Sequence, residues 1–234
     1  MKQSAQVISD IIGEKVELHS SGLYLRSVVG NTTGDEHVIA DQRQYRLLPI
    51  SEGDVVLDIG AHIGAFPILV ALPRGAAKII CVEPDPISVF LLHLNTQDHT
   101  QVEILEGAIV SSNQLSNILL YQNARMATMH TTVPTRGRLK VLVRAHSFAE
   151  VLKVYKPTVI KIDIEGGEFA ILKELCKLPE YVRSLAIEIH PYKGDRNHEL
   201  SRVLADALQE QFAVLREPKI GGNNWVGTGI YSRR

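Results

Sequence analysis

Asp58, Gly60, Ala61, His62 and Gly64 lie in the run DIGAHIG, which follows the apolar stretch VVL and precedes a segment of helical pattern. A glycine-bearing turn between a strand and a helix presents backbone N–H groups at the carboxyl edge of a sheet, where nucleotide-type cofactors bind. The dinucleotide fingerprint GxGxxG is absent: the glycines are spaced GxxxG and an acid precedes them. That spacing weighs against a pyrophosphate cradle, and a carboxylate at the turn suits a cationic ligand. Glu83 ends the next apolar run. An acidic side chain there takes both hydroxyls of a ribose in bidentate fashion.

A second group lies in KIDIEGGE, where Lys161, Asp163 and Glu165 alternate with isoleucines. On a strand these three ionisable groups share one face. Asp163 is the first candidate for a general base or hydroxyl-orienting acceptor, with Lys161 keeping Asp163 and Glu165 ionised. The same pattern also fits a buried structural ion pair. Glu168 suits the start of the following helix, where a carboxylate meets the positive end of the dipole. His190, in IEIHPY, shares a strand face with Glu188 and is a second base candidate, because imidazole titrates near neutrality. It reads equally as a hydrogen-bonded structural histidine. Carboxylates such as Asp163 and Glu165 hold magnesium in some enzymes, but the nine histidines show no HxH, HxxxH or HExxH spacing and no metal is expected. A GxSxG elbow is absent too.

The elements that must position these residues alternate between short apolar runs and helical stretches. The runs are VVLDIG (55–60), KIICVEPD (78–85), VEILEGAIV (102–110), TVIKIDIEG (158–166) and SLAIEIH (184–190). Helices are predicted over 64–72, 87–97, 168–175 and 197–211, which together give a parallel sheet covered on both faces. A last pair, 212–216 and 225–231, flanks the turn at 221–224 and reads as an antiparallel hairpin. Residues 1–49 form an extension with a helix over 4–12, a small hairpin over 16–25, a polar turn over 30–35 and a second helix over 38–48. The remainder, 50–234, is one domain carrying an insertion at about 111–147, too long for a bare loop. Its runs 115–121, 126–133 and 139–143 read as extra strands.

The chain has 234 residues, 45% hydrophobic and 22% charged, with net charge −1, which excludes disordered, fibrous and wholly basic nucleic-acid-binding classes. Cys81 and Cys176 form no CxxC, so a reducing, cytoplasmic setting is expected. No apolar stretch is long enough to span a bilayer, and no membrane partner is expected. The insertion is locally basic: Arg125, Arg136, Arg138, Lys140 and Arg144 stand between Glu106 and Glu150 without an intervening acid. Such a patch suits an anionic substrate or a nucleic-acid backbone, or protects edge strands from pairing.

The blocks VVLDIGAHIGAF, CVEPDP and VIKIDIEGGEFAIL resemble the FkbM family of S-adenosylmethionine-dependent methyltransferases over about residues 50–190. The resemblance implies the class I methyltransferase (Rossmann-like) α/β fold. In it a seven-stranded sheet is mostly parallel with an antiparallel last strand, and helices cover both faces. It implies S-adenosyl-L-methionine as cofactor and methyl transfer typically to a hydroxyl oxygen. By matching positions, Asp58, Gly60, Ala61 and Gly64 would line the methionine part of the cofactor, with His62 standing where the family usually has Asn. Glu83 would hold the ribose, Pro84 would flank the adenine, and Gly107 and Ala108 would meet its edge. The expected partner is a small-molecule acceptor, a sugar or natural product and anionic if the insertion faces it. A homo-oligomer is compatible with the sequence. A nucleic-acid or nucleotide methyltransferase and a non-catalytic cofactor-binding subunit are the alternatives.

Overall fold

Short runs rich in Val and Ile need cover on both faces, and the chain supplies it from three directions. In the computed structural model, which describes residues 5–27, 35–111, 116–123, 130–190, 198–220 and 227–233, the extension comprises α1 (Ala5–Ile12), a hairpin of β1 (Val16–Leu18) and β2 (Tyr24–Arg26), and α2 (Asp35–Asp41). Helix α2 runs on into a 3-10 turn over Gln42–Leu47. Then come β3 (Val55–Ile59), β4 (Lys78–Glu83), α3 (Pro86–Thr96), β5 (Val102–Glu106), β6 (Ala108–Val110), β7 (Asn117–Gln122), β8 (Leu139–Ser147) and α4 (Phe148–Tyr155). The chain closes with β9 (Val159–Ile162), α5 (Leu172–Leu175), β10 (Ser184–Glu188), α6 (Glu199–Gln211), β11 (Ala213–Arg216) and β12 (Thr228–Ser232).

Seven of these strands form the main sheet in the order β11-β12-β10-β9-β3-β4-β5. The central pairs are parallel, and β12 runs antiparallel to both of its neighbours. This is the class I methyltransferase architecture. Successive residues of β3 part to opposite faces. Leu57 and Ile59 join Phe148, Leu152 and Leu204 in one core, whereas Val56 joins Tyr45, Phe66 and Leu92 in the other. The extension packs Ile8, Val16, Tyr24 and Leu25 against Ile63 and Leu91 in a third cluster.

Four departures from the sequence pattern matter for the site. The run 102–110 is two strands, because Gly107 turns the chain at φ 144°. A β-carbon there would lie 2.5 Å from the Arg144 carbonyl oxygen. Thus β6 leaves the main sheet and pairs with β8, which also pairs with β7. The run 158–166 stops being a strand at Ile162, so Asp163 and Glu165 stand in a turn, with Glu165 at φ 53°. The helix expected over 64–72 is a π-helical turn, Pro67–Ala71, followed by a 3-10 turn, Leu72–Arg74. Pro67 has no N–H to give the regular α-helical ladder. The stretch 168–175 likewise divides into a 3-10 turn, Gly167–Ile171, and α5. Parts of the expected polar turn at 30–35, of the strands at 115–121, 126–133 and 225–231, and of the helices at 4–12 and 197–211 lie outside the described residues, as does the turn 221–224. Within the 126–133 run, Thr131 makes a single bridge to Tyr121. Among the described residues no helix is long and apolar enough to cross a membrane.

One side chain ties the extension to the sheet. Asn95, on α3, accepts from Tyr24 N at 2.7 Å and donates to the carbonyls of Tyr24 at 3.0 Å and Ile63 at 2.8 Å. Asn95→Ala removes all three bonds and is expected to cost about 1–3 kcal/mol, read as a lower urea midpoint with the slope unchanged.

Candidate active site

The site is built where β3 and β9 end side by side. Asp58 and Lys161 are paired residues of these adjacent parallel strands, and both side chains are buried. The Lys161 ammonium donates to the Gly60 carbonyl at 2.7 Å and lies 3.1 Å from Asp58 Oδ1. Burial disfavours its charge, but Asp58 and then Asp163 outweigh that and raise its pKa. Gly60 holds φ 82°, and a β-carbon on it would fall 1.8 Å from the Asp163 carbonyl oxygen. Only glycine lets the first loop lie against the turn after β9.

On one side of that loop stands Glu83, with Oε2 accepting from His62 N and Oε1 from Asp85 N, each at 2.9 Å. Burial, and then the Asp85 charge, lift its pKa to about 7 against the pull of those two N–H groups and His130. His62 adopts φ 51°, a left-handed conformation that Asn and His tolerate better than most residues. Its Nε2 sits 2.9 Å from Arg26 Nη2. Burial brings its pKa down to about 4, so the neutral ring accepts there. Arg26 also binds Asp35 through three of its bonds and reaches Ser88 Oγ at 3.0 Å. Asp85 caps α3 through Ser88 N at 2.9 Å and pairs with His130 at 3.2 Å and Gln122 at 2.6 Å. Extension, first loop, α3 and insertion therefore meet in one polar knot.

On the other side of the loop four carboxylates surround His190. Its Nδ1 is 3.0 Å from Glu168 Oε1, and its Nε2 is 3.7 Å from both Asp163 and Glu165 and 3.9 Å from Glu188. Burial opposes the imidazole's charge, but Glu168, Glu165 and Asp163 more than compensate, and its pKa stands well above the ordinary value. Burial and neighbouring acids push Glu165 and Glu188 up to about 7. Tyr45, from the 3-10 turn of the extension, donates to Asp163 Oδ2 at 3.4 Å. Burial, and then the Asp163 charge, hold its own pKa well above 10.

One pocket connects both sides. Gly60, Ala61, His62, Glu83, Pro84, Gly107, Ala108, Lys161, Asp163, Glu165 and His190 line it as the sequence leads one to expect. Asp58 and Gly64 do not: Asp58 lies wholly buried behind the loop facing Lys161, and Gly64 packs against Leu92 and Thr96. His190 is in place; the carboxylates that raise its pKa favour its protonated form, which weighs against the role of a base. Glu168 reaches back to Ile164 N at 3.1 Å, close to its expected helix-start role, and also holds His190. Sequence reasoning missed Tyr45, Asp41 and Gln44, which line the pocket from the extension, and His130 and Thr131 from the insertion. Of the basic insertion residues, Arg136, Arg138, Lys140 and Arg144 are not in the lining, and Arg125 lies outside the described residues. The His190 side of the pocket is acidic, so the expected basic surround for an anionic substrate is not what the described residues provide.

The family model described as "Methyltransferase FkbM domain" matches residues 58–213. The hexuronic acid methyltransferase AglP of Haloferax volcanii is 26% identical over 160 residues, which are 67% of this chain and 63% of AglP. The chain thus spans less than two thirds of AglP's length. Methyltransferase sdnD of Sordaria araneosa is 23% identical over 216 residues, covering 73% of this chain and 83% of sdnD. Among solved structures, an FkbM methyltransferase from Methylobacillus flagellatus KT superposes with a TM-score of 0.50 at 18% identity, over 79% of this chain and 45% of that one. M. jannaschii TYW2, solved in complex with AdoMet, gives 0.52 at 12% identity, over 94% and 87%.

Lys161→Met strands the Asp58 carboxylate in the core and is expected to cost about 3–5 kcal/mol, whereas Asp58→Leu with Lys161→Met recovers most of that loss. Urea unfolding of the three proteins checks it; a double variant no more stable than Lys161→Met would show that the pair is not the source of the cost.

Proposed function

The chain belongs to the FkbM methyltransferase family, and from that premise we propose that it transfers the methyl group of S-adenosyl-L-methionine to a hydroxyl oxygen of a sugar or small natural-product acceptor. The observation that carries this reading is the single pocket with Glu83 at one end, Asp163 at the other and the Gly60–His62 loop between them. AglP, by its name, acts on a hexuronic acid, which supports a sugar acceptor.

The residues fit the cofactor. Each Glu83 oxygen receives one backbone N–H and keeps a lone pair for a ribose hydroxyl. Pro84, Ile109 and Leu120 supply apolar walls for an adenine, with Gly107 and Ala108 at its edge. The absence of a side chain on Gly60 leaves the loop backbone close to Asp163. When bound, the cofactor supplies an electrophilic methyl group on a sulfonium. The chain's own task is then to align an acceptor oxygen, exclude water and receive a proton. Asp163 suits the last role: its carboxylate lines the pocket and Tyr45 orients it through Oδ2. Lys161 positions the loop through the Gly60 carbonyl and does not itself need to touch substrate.

Calorimetry should detect binding of S-adenosylhomocysteine that weakens at least about tenfold in Glu83→Ala, since a ribose-anchoring charge-assisted pair is lost. Binding requires the Glu83 carboxylate, so affinity falls as pH drops through about 7, by up to about tenfold per unit. The neighbouring Asp85, His62 and His130 face the same carboxylate, and Glu83→Gln separates its contribution by removing the slope. No binding by folded wild-type protein would overturn the assignment. Asp163→Asn is expected to lower turnover about 10²–10⁴-fold on an acceptor identified by labelled-methyl screening, with affinity for S-adenosylhomocysteine within about twofold.

A further inference from the structure

The cluster around His190 brings together more carboxylates than it has cations to pair with them. Asp58, Asp163, Glu165, Glu168 and Glu188 are five carboxylates, and among the described residues the cations within ion-pair distance of them are Lys161 and His190. Lys161 is committed to Asp58 and the Gly60 carbonyl. One oxygen each of Asp163 and Glu165 and a nitrogen of His190 lie within 4.8 Å of one another. Nε2 is 3.7 Å from both oxygens, beyond hydrogen-bond reach. Ligand atoms at metal distances of about 2.0–2.2 Å are themselves about 3–3.6 Å apart, so a small contraction brings the three onto one ion.

A second observation concerns the imidazole's other face. Nδ1 is held at 3.0 Å by Glu168, a wholly buried carboxylate whose Oε1 also accepts from Ile164 N and whose Oε2 has no hydrogen-bond partner among the described residues. A metal-binding histidine is oriented in this way, one nitrogen anchored to a buried carboxylate and the other left for the ion. Glu165 is aimed by its backbone: the residue is at φ 53° before Gly166 at φ 95°, and its carbonyl accepts from Thr131 Oγ1 at 2.6 Å. Left-handed backbone at a bulky residue is strain kept where the surrounding structure over-determines it.

We infer that Asp163, Glu165 and His190 bind a divalent cation, magnesium or manganese by the two carboxylates of the donor set. Three protein ligands leave positions open towards the pocket. An acceptor with a hydroxyl beside a carboxylate or a second hydroxyl fills two of them, which lets an acidic wall receive a hydroxy acid that it would otherwise repel. This last step rests on the methyltransferase reading; the cation site does not.

The test is a titration of Mn²⁺ into the full chain, followed by loss of the free-ion electron paramagnetic resonance signal, with S-adenosylhomocysteine calorimetry on the same samples. One saturable ion per chain is expected. Glu165→Gln and His190→Gln should each weaken it at least about tenfold, and Glu168→Gln, which touches no ion, about 10–100-fold. Retained S-adenosylhomocysteine binding shows that each variant is folded. Wild type that binds S-adenosylhomocysteine but leaves Mn²⁺ free overturns the cation site alone, as does Mn²⁺ bound equally well by Glu165→Gln. Saturable Mn²⁺ binding lost in variants whose urea midpoints match wild type, without S-adenosylhomocysteine binding by wild type, upholds the cation site and removes the cofactor assignment.

Discussion

The buried ammonium of Lys161 is the constraint on which the rest of the site depends. It lies between a carboxylate of one central strand and a carbonyl of the loop that leaves that strand. In water such a charge would be free to wander; in the core it holds whatever satisfies it at fixed distance. The ends of β3 and β9 are thereby locked in register, and the first loop is pressed onto the turn after β9. Gly60 makes the approach sterically feasible, and Lys161 makes it electrostatically favourable. An identical sheet with leucine at 161 would keep the strands and lose the reason for the loop to lie where it does.

Around that lock the pocket divides into halves of opposite design. The Glu83 half is assembled from backbone N–H groups and short turns of the sheet itself, with little freedom to vary. The Asp163 half is built from side chains that converge from distant segments: Tyr45 from the extension, His190 from beyond β10, Thr131 from the insertion. The Arg26 knot ties the extension to the Glu83 half, because one guanidinium touches Asp35 of the extension, His62 of the first loop and Ser88 of α3. Its buried partners leave it few alternatives. Any displacement of the extension is therefore felt at the loop that holds Glu83 through His62 N.

The strands of the main sheet and the loop residues were legible because Val and Ile runs and a GxxxG turn are local signals. Glu83 was legible for the same reason, as an acid closing a strand. The break after Ile162 was not, since isoleucines continue to alternate through Ile164 while the backbone turns under the first loop. Tyr45 is 118 positions from Asp163 and His190 is 22 from Glu168, so no spacing rule links them; tertiary packing does. The basic insertion shows a related limit. Its charge was readable, its direction was not, and Lys140 is spent over the Tyr121 ring, 5.8 Å from the centroid.

The divided authorship of the pocket has an evolutionary corollary. Segments that leave the sheet at its margins tolerate insertion, deletion and sequence drift far better than the strands do. Here those segments carry much of the Asp163 half of the pocket and only part of the Glu83 half. The lining of the pocket is thus open to change by rewriting residues 35–47 and 130–133, with the strand ends that carry Asp58, Glu83 and Lys161 inherited unaltered. A lineage built this way diversifies at its rim and stays conservative at its centre.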